Sequence, residues 1–270
     1  MDPGGQVPAR RASVAPAPGR TAIDLNYVER TYRDLSANRR WTSFTVSEGE
    51  TDLYIKADRN LAALALREVL RLRGEIQAYM DRRPVFGTSL VPLDPDPQAA
   101  AIVRDMLEAG ALASVGPMAA VAGAIAEHVG TSLRASCREV IVENGGDIYL
   151  ALEAPAVVAL FAGSSPLSMR IGIRVPAEET PCGICTSSGT VGPSLSFGRA
   201  DAVTVWARST ALADAAATAL ANRIQSADDV EDVLEASSGI PGLKAVAVIV
   251  GDRIGWKGPL DLVRLAARGS

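Results

Sequence analysis

Asp214 and Thr218 stand four residues apart in the run Ser209-Thr210-Ala211-Leu212-Ala213-Asp214-Ala215-Ala216-Ala217-Thr218-Ala219-Leu220-Ala221-Asn222. A carboxylate and a hydroxyl at that spacing share one face of a helix. Such an oxygen pair on a wall of methyl groups suits a hard cation such as Mg2+. A local explanation competes: a first-turn acid favoured by the helix dipole, and a threonine that bonds back to the carbonyl of residue 214. Taken alone, the helix favours the local explanation.

Asn144-Gly145-Gly146-Asp147 lies between two apolar runs of strand character. Two glycines there make a hairpin turn or bulge, or else leave bare backbone facing a ligand, with Asn144 and Asp147 as polar contacts. Both readings stay open. Thr186-Ser187-Ser188-Gly189-Thr190 is a hydroxyl-rich loop whose amides could cradle phosphate, yet it lacks the Gly-Lys-Ser/Thr of a nucleoside-triphosphate loop. A plain surface loop competes equally. Gly116-Pro117-Met118-Ala119 opens a helix: Pro117 suits the first turn, Gly116 permits close approach, and the free amides beyond attract anions.

Cys182-Gly183-Ile184-Cys185 supplies only two of the four ligands of a closed zinc site, so structural thiols are the simpler reading. His128 is the single histidine and is assigned to packing or surface. Without a second imidazole or a nucleophile partner, a hydrolase of the Ser-His-Asp or Cys-His kind is poorly supported.

These groups need elements to hold them. The run around Asp214 reads as a helix capped by Ser209 or Thr210, with Leu212, Ala216, Ala219 and Leu220 on its buried side. Tyr32–Asp34, Trp41–Val46 and Asp52–Lys56 read as strands, the last two joined by a turn at Glu48–Glu50. Asp58 would cap a helix running to about Met80. A proline-punctuated loop spans Arg83–Pro97, and helices follow at about Gln98–Ala109 and from Pro117 to about Ala135. Further strands are expected on either side of a Gly-Gly turn or bulge within Arg138–Leu152, and at Val157–Phe161, Met169–Val175, Val203–Trp206 and Lys244–Ile254, with a Gly/Ser/Thr-rich stretch over Pro181–Ala200 and a short helix at Asp228–Ala236. Strands and helices come in groups without a regular βαβ alternation, so the fold class is α+β with mostly antiparallel sheet.

The 270 residues can bury a full core. Residues 1–24, rich in Pro, Gly, Ala and Arg, read as a disordered tail, and 25–270 as a single domain. A net charge of −4 and 4% aromatic residues argue against nucleic acid as partner. Three cysteines make no disulfide framework. The apolar run Ala109–Ala126 is interrupted by Gly110, Ser114, Gly116, Pro117 and Gly123, so it reads as buried core rather than a membrane helix. With no secretory signal pattern at the N-terminus, the expectation is a cytoplasmic protein.

In their order along the chain, Gly116-Pro117-Met118-Ala119, Asn144-Gly145-Gly146-Asp147, Thr186-Ser187-Ser188-Gly189 and Ala213-Asp214-Ala215-Ala216-Ala217-Thr218 resemble the ApbE superfamily, over about residues 25–265. Gly183–Gly192 and Ser194–Gly198 resemble more closely an uncharacterised ApbE-like branch of bacteria and archaea. The resemblance implies a T-fold-like arrangement of mostly antiparallel sheets packed with helices. It implies a flavin transferase that splits FAD with Mg2+ and attaches FMN to a threonine of an acceptor protein. On that resemblance Asp214 and Thr218 match the Mg2+ ligands. Asn144, Gly145, Gly146 and Asp147 fall near the flavin nucleotide, Gly116, Pro117, Met118 and Ala119 line the pyrophosphate side, and Thr186, Ser187, Ser188 and Gly189 meet phosphate. The expected partners are a flavin or nucleotide-like molecule and an acceptor protein, with a homo-oligomer compatible.

The departures are specific. The transferases carry a lysine where this chain has apolar residues near Ala120 and Val121. Their His-containing segment ending in Asp-Pro-x-Thr-Gly is replaced by Gly192-Pro193-Ser194-Leu195-Ser196-Phe197. Proline neither transfers a proton nor donates a hydrogen bond. Two functions follow: an Mg2+-dependent enzyme acting on FAD or a related phosphorylated cofactor, or a non-catalytic flavin or nucleotide binder, an accessory in redox or one-carbon cofactor biosynthesis. A third is a scaffold whose Cys182–Cys185 pair engages a metal or a partner thiol.

Overall fold

The structure, a computed structural model, describes residues 40–188 and 198–265. The tail 1–24, Tyr32–Asp34, Gly189, Thr190 and Pro193 lie outside the described residues. β1 (Thr42–Glu48) and β2 (Thr51–Ala57) form the expected hairpin, with Thr42 opposite Ala57. Leu53, Ile55 and Ala57 point into the core at the period of two that a strand imposes. α1 (Ala62–Arg82) buries Ala65, Val69, Leu72, Ile76 and Tyr79 along one stripe. Asp58 is not its cap: Asn60 Oδ1 accepts the Ala62 amide at 2.9 Å, while Asp58 Oδ2 accepts the amide of Arg138 at 3.3 Å. The proline-punctuated stretch contains one unforeseen helical turn, α2 (Val85–Thr88), where buried Phe86 meets the Tyr79 ring edge-on at 4.9 Å.

α3 (Ala101–Ala113) ends at Ser114, whose φ of 59° turns the chain away from the helix. A 3-10 turn at Pro117–Ala120 then opens α4 (Val121–Leu133), and Pro117 occupies the first turn as expected. The chain bends by 106° between these two helical segments, and no single helix among the described residues is long and apolar enough to cross a membrane. Ile102, Val103, Met106, Ala124, Ile125 and Val129 of this run belong to the core.

β3 (Val140–Asn144) and β4 (Asp147–Ala151) form a hairpin with a two-residue turn. Gly145 and Gly146 have φ of 70° and 112°, a conformation that a side chain would strain. β5 (Ala156–Ala159) and β6 (Ile171–Val175) pair next. The stretch expected to be irregular from Pro181 onward instead begins as β7 (Cys182–Ser187) between β4 and β8 (Ala202–Ala207). Its Gly183 misleads a propensity reading. That glycine is there because a Cβ would lie 2.4 Å from the Thr210 Cα of the helix above. α5 (Thr210–Ala221) and α6 (Val230–Ala236) match their expected places. The single terminal strand is in fact a hairpin, β9 (Leu243–Val250) and β10 (Arg253–Lys257), followed by β11 (Asp261–Arg264).

Every strand pairing among the described residues is antiparallel. Eight strands lie in the order β1-β2-β3-β4-β7-β8-β9-β10, and β11-β6-β5 make a smaller sheet. The fold is therefore α+β with mostly antiparallel sheet. One face of the large sheet is covered by α1, α4 and α5, with α3 packed on these helices, and together they form the main core with it. The small sheet packs on the other face through Leu160, Ile173 and Val175 against Leu150, Ile184, Trp206 and Ile249.

Candidate functional site

α5 explains why its sequence is nearly all alanine. Ala211, Ala213, Ala215, Ala216 and Ala217 are buried against α3, α4, β7 and β8, where larger side chains would hold these elements apart. Ser209 caps the helix, its Oγ accepting the Leu212 amide at 3.2 Å. Asp214 lies in the second turn, and α5 has no acid in its first turn. The local reading of a first-turn acid is thereby corrected. The carboxylate serves a different helix: Oδ2 accepts the Gly123 amide at 2.8 Å, and the Ala122 amide also bonds it. The anion at the start of α4 is thus a side chain of the protein itself.

The β3–β4 hairpin brings Asn144 and Asp147 to the same place. Asn144 Nδ2 donates to the Ala122 carbonyl at 3.1 Å. Asp147 stands opposite Cys185 on β7, and that thiol lies within reach of both Asp147 and the Thr210 carbonyl, 3.4 Å from the latter. The amide of Thr186 donates to the Gly146 carbonyl at 3.3 Å, which ties the glycine turn to the end of β7. Thr186 Oγ1 and Thr204 Oγ1 are 2.9 Å apart. Asn144–Asp147, Thr186–Ser188, the start of α4 and the Asp214 turn of α5 therefore form one neighbourhood. Gly116 serves the chain's own packing: a Cβ there would fall 1.8 Å from the Ser89 carbonyl oxygen. Pro117 is buried, and Met118 and Ala119 are half-buried beneath the start of α4.

Asp147 and Asp214 are each 8% exposed. Burial pushes Asp214 up to about 7, against the pull of the Gly123 and Ala122 amides. Asp147 is held well above the usual carboxylate range by burial first and by the charge of Asp214 second. Two such groups do not both ionise without positive charge between them. Thr218 is half-buried one turn beyond Asp214. All these donors are oxygens, and among the described residues no group of three or more His, Cys, Asp or Glu side chains is arranged to hold a metal ion. Mg2+ uses one or two carboxylates, water and ligand phosphates rather than a closed protein cage. The donor set fits that habit.

Cys182 and Cys185 do not act together. They differ by three along a strand, so Cys182 faces the small sheet and Cys185 the helices. The idea that this pair engages a metal or a partner thiol together is corrected by that geometry, and both thiols are buried and pushed up by burial. His128 Nε2 is 2.7 Å from Asp105 Oδ2, near the surface as expected. It lines a cavity of about 400 Å3 with Glu68, Asp105 and Glu127; a neighbouring cavity of about 490 Å3 is lined by Asp105, Glu108, Glu127 and Arg208. Neither cavity touches Asp147, Asp214 or Thr218.

Gly123 and Glu127 escaped the sequence reading. A Cβ on Gly123 would lie 2.4 Å from the Thr210 carbonyl oxygen, so α4 and α5 meet backbone to backbone. The available signal was a glycine four residues before an acid in an otherwise apolar helix.

A family model described as AbpE bacteria matches residues 33–251. A UPF0280 protein of Methanocaldococcus jannaschii is 41% identical over 235 residues, spanning 84% of this chain and 96% of its own length. A UPF0280 protein of Methanococcus aeolicus is 42% identical over 221 residues, 80% of this chain and 89% of its own. Among solved structures, a flavin transferase ApbE from Vibrio cholerae aligns with a TM-score of 0.51 at 15% identity, covering 80% of this chain and 96% of that one. A flavinyl transferase ApbE of Pseudomonas stutzeri in its apo form gives 0.52 at 15% identity, over 80% and 94%. At that identity the likeness is one of fold.

Proposed function

The chain belongs to the family described as AbpE bacteria, and from that premise we propose that it binds FAD or a related phosphorylated cofactor together with Mg2+. The observation that carries this reading is the pair of buried carboxylates, Asp147 and Asp214, both raised by burial, with the charge of Asp214 raising Asp147 further. Asp214 and Thr218 hold the cation, with Asp147 beside it. When bound, Mg2+ neutralises charge that builds on a phosphate leaving group. The Gly123 and Ala122 amides orient Asp214, and Asn144 fixes those amides by holding the Ala122 carbonyl. Gly145 and Gly146 leave the hairpin tip bare for a ligand's approach, and the end of β7 at Thr186, Ser187 and Ser188 brings hydroxyl-bearing residues beside it for a phosphate.

Two chemistries fit this site: cleavage of FAD with FMN transfer to an acceptor protein, or binding without reaction. A specific observation favours the second. The position expected for a lysine falls at Ala120, which is fully buried, and at Val121, while the single histidine is engaged by Asp105 beside a different cavity. No amine or imidazole among those residues stands beside the carboxylate pair to move a proton. Incubation of the protein with FAD and Mg2+, followed by chromatography of the nucleotides, separates the two. An enzyme releases AMP and loses that activity in Asp214→Ala; a binder retains intact FAD.

A further inference from the structure

α4 and α5 run antiparallel where they touch, with Gly123 against Asp214 and Glu127 against Thr210. Each helix lends a carboxylate to the start of the other. Asp214 of α5 accepts the Gly123 amide at 2.8 Å. Glu127 Oε2 of α4 accepts the Thr210 amide at 2.7 Å, the Ala211 amide at 3.2 Å and the Ser209 hydroxyl at 3.2 Å. Both anions therefore sit at the positive end of the partner helix, where free amides need an acceptor. Glu127 and Gly123 are one turn apart on α4, and Thr210 and Asp214 one turn apart on α5, so the two contacts form a closed clamp. No side chain separates the helices, because a Cβ on Gly123 would stand 2.4 Å from the Thr210 oxygen and 2.8 Å from the Asp214 Cβ.

A metal-ligating carboxylate is only as well placed as the groups that hold it. We propose that Glu127 is a positioning residue for the cation site. By fixing the first turn of α5 on α4, it sets where Asp214 and Thr218 stand relative to the Gly123 amide. Glu127 itself lies at the other end of the contact, lining the two acidic cavities rather than the carboxylate pair. Its effect on the cation is therefore mechanical, through α5, and depends on the reach of its oxygen more than on its charge. This inference rests on the reading that Asp214 and Thr218 bind a divalent cation.

The test is titration of the full chain with Mn2+ as a stand-in for Mg2+, followed by electron paramagnetic resonance of the free ion, with circular dichroism verifying that each variant is folded. Glu127→Gln keeps the length and an acceptor oxygen, and is expected to bind within about twofold of wild type. Glu127→Asp keeps the charge but withdraws the oxygen by one methylene, and it should lose affinity about tenfold, as does Glu127→Ala. Should the alanine variant fail to fold, the order of Gln above Asp alone decides. Wild-type affinity in Glu127→Asp, or a Gln variant as weak as the Asp variant, overturns the proposal while leaving the cation site standing. Absence of Mn2+ binding in the wild type, or equal binding in Asp214→Ala, overturns the cation site and this inference with it.

Discussion

Asp214 keeps its proton far above the pH at which an exposed aspartate loses it, because burial removes the water that would solvate its charge. The unfolded chain has no such restraint, so between the two values the folded state binds more protons than the unfolded state. Stability from this group is fully present below about 3.8 and is lost as pH rises through about 7. In EDTA, urea unfolding of the wild type should therefore show stability falling across that window by an amount on the order of a few kcal/mol. Asp214→Asn, which cannot ionise, should lessen the slope, the remainder coming from Asp147, which burial also raises; a wild-type profile level across the window would remove the claim that this carboxylate is buried and unpaired by positive charge. The spacing of Asp214 and Thr218 was legible because helical geometry fixes it from sequence. The engagement of Asp214 by α4 was not, because no local pattern says which helix will lie against which.

Gly123 and Gly183 flank Thr210 from two sides, one in α4 and one in β7, and both are glycine because the start of α5 fills the space. Gly123→Ala and Gly183→Ala should each cost about 1–3 kcal/mol by overpacking, read as a lowered Tm in a thermal melt. An unchanged Tm in both would mean that α5 is not seated as described. β7 carries a second expectation. Cys182 and Cys185 point to opposite faces of the sheet, so mild oxidation of the folded protein should give no mass loss from an internal disulfide between them, while the unfolded chain is free to form one. A disulfide in the folded protein would contradict the strand. β7 was missed because its glycine, cysteines and hydroxyl residues are weak strand signals when read alone. It becomes a strand through its ladders with β4 and β8.

Across the whole molecule, the hairpins β1–β2 and β3–β4 were readable because their turns and alternation are local, as was the α+β class. The order β4-β7-β8-β9 was beyond reach, since it joins strands separated by long stretches of chain. Resemblance supplied what periodicity lacked. It pointed to the hairpin tip and the α5 turn as one site, and the fold brings these two together beside the end of β7. Two buried carboxylates, Asp147 and Asp214, would repel a phosphorylated ligand, so on the proposed reading they need a cation before they can accept one. Calorimetric titration of the protein with FAD, in Mg2+ and again in EDTA, for the wild type and for folded Asp214→Ala, bears most directly on that dependence. Saturable binding in Mg2+ that disappears in EDTA and in the variant is the expected result. Binding that is equal in all of these conditions, or absent from the wild type in Mg2+, would contradict a cation-dependent flavin site at Asp214.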